Sequence, residues 1–83
     1  MTETTMHELA LALDRFVSGE DISLIAANRL EVLLSDGFPD DELVQDRVGD
    51  LARYRPGGGD FLIDEREMRS RLGRLRGYLS APR

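Results

Sequence analysis

The spacing of the apolar residues constrains this chain most, because it follows a helical period almost throughout. Met6, Leu9, Ala10, Leu13, Phe16 and Val17 recur at three- and four-residue steps, which places them on one stripe of a first helix. Thr5 with Glu8 three residues on has the form of a capping box for its start. Ser18-Gly19-Glu20-Asp21 interrupts the pattern. Ser23 is then an N-cap for a second helix, with Ile22, Ala26, Leu30, Leu33 and Leu34 on its buried side and Gly37 as a left-handed stop. Pro39-Asp40-Asp41-Glu42 suits the first turn of a third helix, whose apolar set is Leu43, Val44, Val48, Leu51 and Ala52. Arg55-Pro56-Gly57-Gly58-Gly59-Asp60 ends it, and Phe61-Leu62-Ile63 reads as a short extended stretch pinned on the core. Asp64 with Glu67 caps a last helix striped by Met68, Leu72, Leu75 and Leu79.

Four short helices with one apolar face each can cover those faces only by packing on one another. The expected fold is therefore all-α, a compact antiparallel four-helix bundle forming a single domain over 1–83. Its helices are expected near 5–17, 23–36, 40–54 and 65–80, with a frayed tail at 81–83. A chain of 83 residues buries only about 60% of the surface its unfolded form exposes, so its stability margin is thin. There is no cysteine, which removes disulfides, thiolate nucleophiles and cysteine-ligated metals together. No apolar run reaches the length of a membrane span, and the N-terminal segment lacks the basic start of a secretory signal. The expected location is the cytoplasm.

Charge is unevenly distributed. Residues 1–50 hold 12 acids and 3 arginines, net −9, whereas residues 51–83 hold 4 acids and 8 arginines, net +4, together giving −5. The acidic portion disfavours a phosphate backbone as a partner and favours a cationic protein surface, such as a nucleic-acid-binding cleft. Asp36, Asp40, Asp41, Glu42, Asp46 and Asp50 fall within fifteen residues, diluted only by Arg47. Glu42, Asp46 and Asp50 follow at four-residue steps on one helical face, where like charges slightly destabilise the helix. Such a face is either merely solvated or a binding face.

Catalytic chemistry finds little support. His7 is the single histidine and has no cysteine or second histidine with which to hold a metal. No serine has a histidine or lysine nearby to activate it. The triple glycine lacks the Lys-Ser or Lys-Thr of a phosphate loop and reads as turn chemistry. Arg66, Arg69, Arg71, Arg74 and Arg76 on the last helix have no interleaved aromatics for base stacking, and intramolecular pairing is their expected role. The chain is expected to be no enzyme and to take no cofactor, metal, small molecule, nucleic acid or membrane.

Leu51-Ala52-Arg53-Tyr54-Arg55-Pro56, a short polar loop ending in Asp60, and Ile63-Asp64-Glu65 leading into the Met68–Leu79 stripe together resemble the colicin D-type bacterial immunity proteins. Upstream, Asp14-Arg15-Phe16-Val17-Ser18 followed by Ile22-Ser23 is similar to that family's first-helix exit and second-helix start. The resemblance spans most of residues 9–79 on short motifs. It implies a small helical bundle without catalytic activity that binds a nuclease toxin domain, in the colicin D case a tRNA-cleaving one, and covers its active site with acids in place of substrate phosphates. The family carries acids in and just ahead of the aromatic-x-Pro turn, where this chain has Ala52, Arg53, Arg55 and Gly57. Asp60, Asp64 and Glu65 keep the acidic character. Either the mimicry has moved to the Asp36–Asp50 acids or the cognate toxin differs. The expected partner-binding residues are therefore Asp36, Asp40, Asp41, Glu42, Asp46, Asp50, Tyr54, Asp60, Asp64 and Glu65. Two other readings stand beside this one: a regulatory or scaffolding module taking a partner helix in an apolar groove, and an acidic nucleic-acid mimic that inhibits another nuclease.

Overall fold

A computed structural model describes residues 2–81 and contains four helices: α1 (Glu3–Ser18), α2 (Leu24–Gly37), α3 (Glu42–Ala52) and α4 (Glu65–Ser80). Each helix packs against its neighbours in the chain, and α4 closes the ring on α1, while the diagonal pairs do not approach. The expected all-α four-helix bundle is the observed fold. Arg83 and the rest of the tail beyond Ala81 lie outside the described residues.

Two of the four helix starts lie at the capping residues expected from the sequence. Ser23 accepts from the Ala26 N–H at 3.1 Å and Asp64 from the Glu67 N–H at 2.9 Å. Asp41 caps α3, accepting from the Val44 N–H at 3.2 Å, so this helix begins at Glu42 and not at Asp40. The start of α1 differs more. Thr2 is its cap, accepting from the Thr5 N–H at 3.1 Å, because the pair Thr2 and Thr5 offers the same geometry one turn upstream of Thr5 and Glu8.

The stops are less regular. α1 ends on Gly19 at φ 85°, where the arginine at 69 presses in from α4 so closely that a Cβ would stand 3.1 Å from its guanidinium carbon. α2 runs through Gly37 without a left-handed residue and stops at Phe38, whose N–H still reaches the Leu34 carbonyl at 3.0 Å. The half-buried Phe38 ring packs on the core, and Gln45 Nε2 donates to the Phe38 carbonyl at 2.8 Å, which holds the chain out of the helical path. α3 stops at Ala52, short of the expected 54, since Tyr54 forms an isolated parallel bridge with Ile63.

The core gathers Leu9, Leu13 and Phe16 from α1, Ala27, Leu30 and Leu34 from α2, Val44 and Leu51 from α3, and Met68, Leu72 and Leu75 from α4, with Tyr54 and Ile63 from the loop. Each fully buried aliphatic or aromatic side chain contributes roughly 1.5–3 kcal/mol. The expected stripes are narrower in fact. Met6, Ala10, Leu43 and Ala52 are exposed, because each helix touches only two neighbours and leaves the flanks of its stripe to solvent.

Candidate protein-binding face

The ten expected site residues divide by what their side chains already hold. Asp36 in the last turn of α2, Asp40 in the turn after it, and Glu42 and Asp46 on α3 are exposed and pair with no cation among the described residues. Asp60, on the loop between α3 and α4, is likewise exposed. The Asp36 carboxylate stands at the negative end of the α2 dipole with no basic residue in that turn, an arrangement that costs about 0.3–1 kcal/mol. Glu42 stands at the favourable end of α3, one turn from Asp46 on the same face.

The remaining five have structural duties. Asp41 caps α3 with Oδ1 and accepts the Tyr78 hydroxyl on Oδ2 at 2.9 Å, which ties the start of α3 to the end of α4. Asp64 caps α4. Tyr54 is 4% exposed, its ring edge-on to Phe16 with centroids 5.1 Å apart, and its hydroxyl donates to the Ile22 carbonyl at 2.6 Å. Burial pushes the Tyr54 phenol above its ordinary range, with the charges of Glu65 and Asp64 adding to it, so the hydroxyl stays a donor. Tyr54 is thus a core residue and no part of an accessible face.

Asp50 departs furthest from expectation. It is 6% exposed, although it stands one helical step after the exposed Asp46. Arg47 Nε lies 2.8 Å from Oδ2, though misaligned for a hydrogen bond, while Arg71 and Arg53 approach Oδ1 at 3.0 and 3.4 Å. Arg71, reaching across from α4, also donates from Nε to Glu67 at 2.8 Å. The carboxylate is enclosed by arginines and offers nothing to a partner.

Intramolecular pairing holds for only some of the other α4 arginines: Arg66 forms no ion pair among the described residues, and Arg74 reaches only the Ser70 hydroxyl at 3.4 Å. Arg69 Nε donates to the Val17 carbonyl at 2.9 Å and serves as a cap on α1 from a distant helix, and Arg76 pairs with Asp14 at 2.8 Å. On α2, Arg29 pairs with Glu8 at 2.7 Å.

Glu65 closes the glycine turn. Its Oε2 accepts the Gly57 N–H at 2.6 Å, so the first N–H of the triple glycine is already matched to an internal carboxylate. That hydrogen bond, foremost, holds the Glu65 carboxyl below its ordinary value of 4.5. A depressed folded-state pKa means that the stabilisation is complete above 4.5 and is lost as the pH falls through the folded value. Acidification is therefore expected to shift the Gly57 amide resonance below pH 4.5, and Glu65→Gln is expected to flatten that response. An identical titration of Gly57 in the variant would refute the assignment.

His7 is exposed, and among the described residues no group of three or more His, Cys, Asp or Glu is placed to hold a metal ion. Among the described residues no helix is long and apolar enough to cross a membrane. Two features had no signal in the spacing. A shallow cleft of about 230 Å³ between α1 and α2 is lined by Leu11, Ala12, Ile25 and Ala26 with charged rims, and Phe61 projects from the α3–α4 loop with 94% of its surface exposed. Comparison with protein-family models, with curated proteins and with solved structures finds no match.

Proposed function

We propose that this chain is an immunity protein, which binds a cognate nuclease toxin domain and masks its cationic active site with carboxylates. The observation that carries the reading is the set Asp36, Asp40, Glu42 and Asp46: four exposed carboxylates without a cation among the described residues, while Arg71 and Arg76 of α4 are paired with acids elsewhere. Three of them lie on helices, so their charge is presented with little entropy left to lose on docking. The resemblance to colicin D-type immunity proteins supplies the partner class, and the acids of α2–α3 stand in for those missing ahead of Pro56. The protein acts by occupation and performs no chemistry. Asp60 contributes a further charge, whereas Asp50 and Tyr54 drop out of the interface because both are buried.

The test is binding to the C-terminal nuclease domain of a toxin, which this reading places in a gene beside this one. Asp40→Lys with Asp46→Lys is expected to weaken the complex about 100-fold, through slower association, with a larger loss at low salt than at high salt. Affinity within twofold of wild type would reduce the acidic corner to a solvated surface. A second reading, a module that takes a partner helix, draws on the α1–α2 cleft with Ile25 82% exposed beside it. Ile25→Asp distinguishes the two, since it blocks that cleft and leaves the acids untouched.

A further inference from the structure

Among the described residues Phe61 is the most exposed of the large apolar side chains, with 94% of its surface in solvent. It is also the one non-glycine residue among the described residues with a positive φ, at 63°. For a bulky side chain that conformation is an outlier, and the glycines at 57, 58 and 59 show that this turn elsewhere uses the residue that adopts it freely. Neither the ring nor its backbone serves the stability of the fold. The backbone around it is nevertheless fixed. The Arg55 N–H reaches the Ile63 carbonyl at 2.9 Å, the Ile63 N–H the Arg53 carbonyl at 3.0 Å, and the Leu62 N–H the Gly59 carbonyl at 3.1 Å. An aromatic ring presented to solvent from a strained position in a hydrogen-bonded loop has the attributes of a binding anchor, its backbone ordered before the partner arrives.

We infer that Phe61 is the apolar anchor of the toxin contact, seated in a ring-sized pocket of the nuclease domain with Asp60 against a cationic rim. This rests on the immunity reading and adds a second point of attachment to it. A projecting ring requires a concave partner. A second copy could supply one only head to tail, which builds open chains, and a net charge of −5 opposes it. A bilayer is disfavoured because the exposed Asp60 and Asp64 flank the ring. The division of labour is physical: exposed carboxylates steer association, and a buried ring governs dissociation.

The experiment measures association and dissociation rates of the full chain with the nuclease domain encoded beside it, for wild type, Phe61→Gly and Asp40→Lys with Asp46→Lys. Thermal melting, sedimentation, and flotation with phosphatidylcholine–phosphatidylglycerol vesicles accompany each variant. Phe61→Gly is expected to melt at or above wild type, since glycine relieves the backbone, and to dissociate at least about tenfold faster with its association rate unchanged. The lysine pair is expected to show the converse. Unchanged dissociation of Phe61→Gly from a toxin that wild type binds would overturn the anchor and leave the immunity reading standing. A lower melting temperature for Phe61→Gly would make the ring structural, and overturn it equally. An oligomer or a vesicle-bound fraction that disappears in Phe61→Gly would reassign the ring to a second copy or to a bilayer. Absence of any complex with wild type would remove the immunity reading and the anchor together.

Discussion

Phe16→Ala is expected to remove most of the stability of this protein. The side chain is fully buried in the last turn of α1 and meets Tyr54 edge to face, at 69° between ring planes. Truncating such a ring costs about 3–5 kcal/mol, from lost transfer free energy and the cavity left behind. A domain of 83 residues has roughly 4–12 kcal/mol in total, so the loss is comparable to the whole margin at the lower end. The position magnifies the effect. Tyr54 also holds the Ile22 carbonyl and bridges to Ile63, so the α1–α2 connection and the α3–α4 loop both converge on the Phe16 ring. Urea denaturation followed by far-ultraviolet circular dichroism measures it. A midpoint equal to that of wild type would place the ring outside the core.

Asp50→Ala is expected to be the most damaging loss of a charge, at about 2–3 kcal/mol. Removing the carboxylate leaves Arg47, whose side chain is only 21% exposed, without a counter-charge, and leaves Arg71, 28% exposed, with Glu67 alone. The figure is set below that for a fully buried pair because Arg53 is 59% exposed and water screens part of the repulsion. Added salt is expected to restore part of the midpoint, as screening relieves the stranded guanidinium groups. A salt-independent midpoint equal to that of wild type would show the carboxylate to be solvated. Variants of Asp50 therefore report on folding, and a binding experiment that includes one confounds the two effects.

Much of the fold was legible in the residues because local physics governs it. Leu72 and Leu75 lie in the core where the four- and three-residue steps place them, and Ser23 and Asp64 cap helices because a short polar side chain ahead of an apolar run has few better uses for its oxygen. The α2 stop was not legible. Gly37 offers the left-handed conformation that ends many helices, yet the chain stops on Phe38, since a ring that finds apolar neighbours outweighs a backbone preference worth less.

The site was legible only as a set of charges. Spacing placed Glu42, Asp46 and Asp50 on one face of α3 and could go no further, because a helical face says nothing about which neighbour covers its far end. Arg71 arrives from another helix, twenty-one positions along the chain, and withdraws Asp50 from solvent while Asp46 remains in it. Tyr54 moved inward for a similar reason: its ring fits against Phe16 only once α1 and the α3–α4 loop are together.

By itself, then, the sequence determined four amphipathic helices, the caps of α2 and α4, the all-α class and a charge divided between an acidic first portion and a basic last one. Those properties follow from the chain's own periodicity and composition, through interactions between residues a few positions apart. Tertiary structure alone decided which acids stay free and which are spent inside, and it left Phe61 in solvent at a positive φ beside an Ile63 that is 8% exposed. These outcomes depend on contacts between segments distant in the chain, where burial and a partner's position, and not local spacing, set the free energy of each side chain.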